Sequence, residues 1–385
     1  MTVRAVVIGA GWAGQGHVNA LRFAGVEVVA ICARQAEVTQ TVADRLGVPM
    51  ASTDWRQTLT TVRPEIVTIA TPASLRREVV KVATALGCHV LCDKPLAAPA
   101  AEAQELYTLV RQAGVKHAYA ATLYYDPSVA WVAELLREGT IGALQEIDVM
   151  FRLPAWTPLR PWTWVDVLAM GGGVLNNGQT HFFAILEAML GSKVQRVTGE
   201  ARLLRHQAPV VAPIHDLRQI NDHEPTAEAA AQYEWRACDA DGAFSALLRF
   251  APPQPDRPEV PVAIQVNMGA HDLSPTNGWY FYGEDGILQA QGVFSLTVSR
   301  FNGPNTAPTP LPVPQRLLDA LPAIGEDTEN KWAVLARDFV ADIRGEPHQP
   351  YLTFHDGWRY QVAIDAIRAG QGWCDLAGIG ADDER

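Results

Sequence analysis

Val3-Arg4-Ala5-Val6-Val7-Ile8-Gly9-Ala10-Gly11-Trp12-Ala13-Gly14 decides the fold. A short, β-branched run at 3–8 reads as a buried strand, and 12–23 reads as a helix, with a glycine-rich turn between them. In that context Gly9 permits the tight turn, Gly11 lets a pyrophosphate approach the backbone, and Gly14 lets helix and strand pack closely. The helix N-terminus then presents amide donors to an anion. Gly9, Gly11, Trp12, Ala13 and Gly14 are therefore the expected dinucleotide contacts. An ordinary glycine-rich strand-to-helix turn is the competing interpretation, and the segments that follow weigh against it.

Beyond the turn, strand-like runs at 26–32, 66–69, 88–92 and 115–119 alternate with helical segments at 36–46, 75–86 and 100–112. Strand, helix, strand, helix predicts right-handed crossovers and a parallel sheet covered on both faces. After residue 121 strand-like runs at 144–151, 243–250 and 262–268 dominate, which predicts a largely antiparallel sheet with helices on one face. Closing helices are expected at 333–343 and 360–369. The proline-rich stretches 252–261 and 304–314 read as loops or edges, because proline lacks a ladder donor. The expected fold class is α/β with a second α+β domain on a large, mainly antiparallel sheet, divided at 1–121 and 122–385.

The 385 residues correspond to two to three domains at roughly 150 residues each. With 48% hydrophobic and 19% charged residues, the chain is neither disordered nor collagen-like. A net charge of −11 disfavours nucleic acid and anionic membrane surfaces as main partners. No apolar run approaches the roughly 20 residues of a membrane helix, and glycines cut short the one after Arg4, so neither a span nor a signal peptide is expected. Five cysteines, mostly within apolar runs, suit buried thiols in a reducing cytoplasm.

The cofactor and the chemistry follow from what the strands deliver. A carboxylate at the end of the second strand would bind ribose hydroxyls, but that place reads Ile31-Cys32-Ala33-Arg34. No acid repels a 2′-phosphate there and a guanidinium stands beside it, so Ala33 and Arg34 point to NADP rather than NAD, with an Arg34 stacked on adenine or simply solvated as the alternative. The run 88–92 delivers Asp93-Lys94-Pro95 to the carboxyl edge, where a lysine can steady negative charge on a substrate oxygen. A surface lysine opening a loop is the bland alternative. Farther on, Gly171, Gly172 and Gly173 precede Asn177 and His181. If this segment is helical to Leu190, the two share a face, pairing an orienting amide with a proton-exchanging imidazole. A buried histidine bonded to a backbone carbonyl is the alternative there.

Taken together, these motifs resemble the Gfo/Idh/MocA family of glucose-fructose oxidoreductase, inositol dehydrogenase and relatives over nearly the whole chain. The resemblance rests on Gly14 with His17 three residues on, Thr71-Pro72, Asp93-Lys94-Pro95, the triple glycine, Asn177 and His181. It implies an N-terminal Rossmann domain and a substrate domain whose open sheet face makes a homo-oligomer, dimer or tetramer. It also implies Thr71, Pro72, Asp93 and Lys94 near the cofactor, a cis Lys94–Pro95 peptide, and Lys94 and His181 as the catalytic pair with Asn177 alongside. Four positions depart from the family pattern: Asp93 replaces a glutamate, Tyr124 an arginine, Ala184 an aspartate, and Arg76 the histidine after Thr-Pro.

The expected activity is hydride transfer to or from a carbinol carbon of a sugar, cyclitol or related polyol, with Lys94, Tyr124, Trp162, Asn177 and His181 contacting substrate. Trp156, Trp162 and Trp164 suit the C–H faces of sugars and equally suit core packing. His215-Asp216 and Asp222-His223-Glu224 lack a zinc spacing, so no metal is expected. Two alternatives stand beside the dehydrogenase: a redox-neutral, nicotinamide-dependent glycosidase and a non-catalytic NADP-sensing regulator.

Overall fold

The computed structural model describes residues 2–211, 214, 217–251, 258–270, 276–291, 295–301 and 307–380. The chain divides into two compact units, Met1–Tyr125 with Ala169–Gly171 and Leu321–Gln361, and Asp126–Leu168 with Gly172–Ala320 and Val362–Arg385.

The first unit contains β1 (Arg4–Ile8), α1 (Trp12–Phe23), β2 (Glu27–Cys32), α2 (Ala36–Leu46), β3 (Met50–Ser52) and α3 (Trp55–Val62). It continues with β4 (Ile66–Ile69), α4 (Arg76–Ala85), β5 (His89–Asp93), α5 (Ala100–Gln112) and β6 (His117–Ala120). All six strands are parallel in the order β3-β2-β1-β4-β5-β6. Sheet growth reverses between β1 and β4, the switch point beyond which ligands of open α/β sheets collect. Ala5, Val6, Val7, Ile66, Val67 and Val90 are fully buried, as strands covered on both faces require. Burying each valine or isoleucine contributes about 1.5–3 kcal/mol.

Sequence reading missed β3 and α3. A three-residue strand and an eight-residue helix are too short for a clear period, although Asp54 is a sound cap, its carboxylate accepting from Gln57 N at 3.0 Å. The strand expected to be fourth, and to deliver Lys94, is therefore β5. A helix from far down the chain, Asp327–Arg344, packs Trp332, Leu335 and Phe339 into the same core as Val18 and Leu21 of α1. Gly16 of α1 admits the Trp332 ring, which a Cβ would overlap.

The second unit holds α6 (Pro127–Arg137), β7 (Leu144–Arg152), α7 (Thr180–Leu190), β8 (Val194–Arg202), β9 (Gln207–Pro209), β10 (Trp235–Ala237) and β11 (Ala243–Phe250). There follow β12 (Val260–Asn267), β13 (Gly278–Gly283), β14 (Gly286–Gln291), β15 (Ser295–Arg300), β16 (Thr309–Pro310) and β17 (Cys374–Asp375). Among the described residues, nine strands form one sheet in the order β16-β15-β14-β13-β7-β12-β11-β8-β17. It is antiparallel except where β12 meets β7, so it is mixed. Phe244, Ala246, Leu248 and Phe250 of β11 are buried while Leu247 is exposed, the alternation of a sheet covered on one face.

Pro261 corrects the expectation that 252–261 is loop or edge, since it lies in the interior strand β12. It pairs with Arg249 of β11, while the β7 pairing begins only at Val262, so β7 has no residue paired with Pro261. Residues 252–257 and 302–306 of the two proline-rich stretches lie outside the described residues, while Thr309–Pro310 forms the expected edge.

Candidate active site

Two groups of candidate residues are built, one in each unit. In the first, Gly9 has φ +119 and a Cβ there would lie 2.5 Å from the Ala70 carbonyl oxygen; a Cβ on Gly14 would overlap the Gly9 carbonyl. Helix and strand thus approach as closely as the turn signature requires. Gly11 is exposed with nothing within 4 Å of its Cβ direction, and as N-cap of α1 it makes no side-chain cap bond. The N-terminal amides of α1 therefore open onto a cradle that fits a dinucleotide pyrophosphate. Trp12 and Ala13 are half-buried, and the Trp12 ring packs 5.0 Å from Trp332. At the tip of β2, Ala33 is half-buried with its N–H donated to Ser52 O at 3.1 Å, and Arg34 is exposed.

Thr71 and Pro72 follow β4, Asp93 ends β5 and Lys94 follows it, so all four stand at the carboxyl edge of adjacent strands. Asp93, shorter than the family's glutamate, accepts the Lys94 backbone N–H on its own carboxylate at 2.8 Å. The Lys94–Pro95 peptide is cis. Burial lowers the Lys94 ammonium pKa; Asp93 opposes this and Arg76 reinforces it.

Arg76 is 2% exposed, and its guanidinium donates to the carbonyls of Thr71, Asp93, Lys94 and Pro95. His17 is also buried, hydrogen-bonded through Nδ1 to Thr68 Oγ1 at 2.7 Å, and desolvation brings its pKa down to about 4. It is a neutral packing imidazole beneath β4. Tyr124 lies half-buried in the Thr122–Tyr125 turn, edge-on to Tyr125 at 4.9 Å.

In the second unit, the segment after the triple glycine departs from a plain α-helix. Leu175–Gln179 is a π-turn and only Thr180–Leu190 is α-helical. Such wide turns recur at functional sites. The amides of Asn176 and Asn177 donate back to the carbonyls of Gly172 and Gly173, at 2.8 and 2.9 Å.

Asn177, Gly178, His181 and Phe182 are half-exposed, whereas Asn176, Gln179, Thr180, Phe183 and Ala184 are buried. Asn177 and His181 thus share the open stripe, as their spacing predicts. Asp241 holds the start of this segment. Its Oδ2 accepts Leu175 N at 2.8 Å, and its Oδ1 accepts Arg368 Nε and Nη2 at 3.0 and 2.9 Å. Gly173, at φ +94, leaves room for that carboxylate, since a Cβ would stand 2.7 Å from Asp241 Oδ1. Sequence reading had no signal for Asp241 or Arg368, which meet the segment from elsewhere in the chain.

The tryptophans are more committed than the sequence suggests. Trp162 donates N to Pro209 O at 2.8 Å and Nε1 to Ala237 O at 3.1 Å, with Arg236 over its ring at 5.0 Å. Trp156 is buried between Arg160 and Arg205. His215 and Asp216 lie outside the described residues; Asp222 and His223 are exposed and Glu224 is half-buried. Among the described residues no three His, Cys, Asp or Glu side chains cluster as a metal site would, and no helix is long and apolar enough to cross a membrane. The five cysteines are free thiols.

A parallel-sheet unit with a dinucleotide-binding turn, a lysine ending β5, and a mixed-sheet unit bearing an Asn-His stripe define a nicotinamide oxidoreductase architecture. The descriptions "Oxidoreductase family, NAD-binding Rossmann fold" and "GFO/IDH/MocA C-terminal domain" match residues 3–121 and 129–289. The chain belongs to the Gfo/Idh/MocA oxidoreductase family.

An uncharacterized oxidoreductase of Synechocystis sp. is 32% identical over 48% of this chain and 50% of its own length. Levoglucosan dehydrogenase of Pseudarthrobacter phenanthrenivorans is 28% identical over 40% of each. The NADP(+) D-xylose 1-dehydrogenase 2 of Haloferax volcanii is 33% identical over 33% of this chain and 40% of its own length. The chain spans half or less of the length of these curated relatives. Among solved structures, a levoglucosan dehydrogenase in complex with NADH and L-sorbose shares the fold, with a TM-score of 0.80 at 21% identity over 99% of this chain and 100% of its own.

Proposed function

We propose that this protein is an NADP-preferring dehydrogenase that oxidises a carbinol carbon of a sugar, cyclitol or related polyol, or reduces the corresponding carbonyl. Lys94 supports this most directly, because a lysine at the end of β5 with its ammonium depressed by burial is suited to steady a substrate oxygen gaining negative charge. Gly9, Gly11, Trp12, Ala13, Gly14, Ala33, Arg34, Thr71, Pro72, Asp93 and Lys94 would hold the dinucleotide. When bound, its nicotinamide supplies the hydride-exchanging carbon.

His181 accepts the hydroxyl proton during oxidation and returns it during reduction. Asn177 orients the substrate with its amide plane set by the bond to Gly173 O, and Tyr124 and Trp162 flank it. Residues 1–121 serve the nucleotide and residues 122–385 the substrate and a homo-oligomer, dimer or tetramer, in the cytoplasm. The preference for NADP rests on the exposed Arg34 and the lack of an acid in the Ile31-Cys32-Ala33-Arg34 run.

The experiment is a panel of aldoses, anhydrosugars, cyclitols and aryl glycosides, each deuterated at its carbinol carbons, incubated with NADP+ and separately with NAD+. Deuterium on the nicotinamide of the product, formed faster from NADP+, is the expected outcome. Release of an aglycone without net nicotinamide reduction would replace the dehydrogenase with a redox-neutral glycosidase, and faster reduction of NAD+ would overturn the NADP preference.

A further inference from the structure

We propose that Arg76 is a positioning residue for Lys94, tying the segments after β4 and β5 into one rigid edge and keeping a permanent positive charge beside the lysine. Its Nε donates to Thr71 O at 3.0 Å and its Nη2 to Thr71 O at 2.6 Å and Lys94 O at 3.3 Å, while its Nη1 donates to the carbonyls of Asp93 and Pro95. A guanidinium has five N–H donors in a fixed planar fork. Here they are spent on four carbonyls, which leaves no donor for substrate or nucleotide. Arg76 therefore acts through what it holds: the Thr71 carbonyl on one strand end, and both sides of the Lys94–Pro95 peptide on the next.

The charge matters as much as the tether. Arg76 is 2% exposed, so little solvent screens it from Lys94. The other titratable groups around the pair are Asp93 and Cys92 on β5, His17 from α1 and Glu102 from α5. Burial holds His17 neutral with a pKa of about 4 and pushes the Cys92 thiol up to about 11. Burial lowers the Lys94 ammonium most; against that background the Asp93 carboxylate favours the ammonium and Arg76 opposes it. The histidine typical of the family at this position would be uncharged when similarly buried, and would offer at most two ring donors in place of five. A Lys94 tuned by Arg76 is thus a feature of this chain's own sequence.

The catalytic consequence rests on the role proposed above for Lys94, but the labelling test does not. Competitive acetylation with acetic anhydride, read on the Lys94 peptide by mass spectrometry across a pH series, follows the free amine in the folded protein without any substrate. In Arg76→Gln, the charge and most of the fork are lost. The midpoint of Lys94 labelling should shift upward, with a several-fold fall in labelling rate at neutral pH. In Arg76→Lys, the charge remains and the fork is lost. The labelling midpoint should then stay near that of the parent protein, while turnover falls with little change in the KM for nucleotide.

Circular dichroism and NADPH binding establish folding in each variant. If Arg76→Gln does not fold, Arg76→Lys against the parent carries the test through the kcat and KM split. A folded Arg76→Gln with the parent's midpoint, or an Arg76→Lys with parental kcat, overturns the proposal. Unchanged turnover in Lys94→Met would instead overturn the catalytic role of Lys94 and leave the labelling result standing.

Discussion

The two units hold a few polar groups still by means that differ in their reach along the sequence. In the first, the turn itself is local, since Gly9 and Gly14 meet across it, while Lys94 follows directly on β5 and its backbone is braced by Arg76, 18 residues earlier. In the second, Asn177 and His181 ride a segment whose start is held by Asp241 and Arg368, 66 residues beyond Leu175 and a further 127 residues beyond Asp241. The glycine turn is thus encoded within one strand, turn and helix, whereas the Asn177–His181 segment borrows support from a loop and a helix far along the chain.

The sharpest way to break this contrast is a pair of glycine variants. Gly14→Val drives a side chain into the Gly9 carbonyl and should abolish nucleotide binding, at a stability cost of about 1–3 kcal/mol. Gly173→Ala puts a Cβ at φ +94 against the Asp241 carboxylate. It should lower kcat by about a hundredfold through displacement of the Asn177–His181 stripe, while nucleotide affinity is retained. Isothermal titration with NADPH and steady-state kinetics separate the two outcomes; equal loss of nucleotide binding in both would deny the units their separate duties.

A smaller effect concerns acid. His17 and His117 belong to the first unit, and burial lowers both from 6.5 to about 4. Between those values the unfolded chain binds more protons than the folded one, so their stabilisation is full above pH 6.5 and fades as pH falls towards 4. His17 alone accounts for a loss on the order of 3 kcal/mol across that window. Urea unfolding at stepped pH should show stability falling over this range, with a shallower fall in His17→Gln. Identical slopes in parent and variant would remove His17 from the account.

The same contrast explains what was legible in the sequence. The predicted helices 12–23, 36–46 and 100–112 coincide with α1, α2 and α5, because amphipathic periods and turn residues are local signals. The Lys94 motif was legible for the same reason, lying where a short apolar run stops. β3 and α3 escaped because they are short. The π-turn at Leu175–Gln179 escaped because nothing in Leu-Asn-Asn-Gly-Gln distinguishes it from α-helix. Pro261 misled because a proline's cost depends on whether a neighbouring strand needs its donor, which only the register reveals. Arg76 was visible as a departure from the family pattern, but its four carbonyl partners were not, since they come together only when β4 and β5 lie side by side.

In the proposed reaction Lys94 and His181 handle the charge and proton at one carbinol oxygen. Turnover of the doubly substituted Lys94→Met/His181→Gln protein, on the first polyol that reduces NADP+ with the parent, tests this most directly. The predicted result is a fall in kcat on the order of a thousandfold or more with NADPH affinity unchanged. Undiminished turnover in a folded, nucleotide-binding double variant would contradict it.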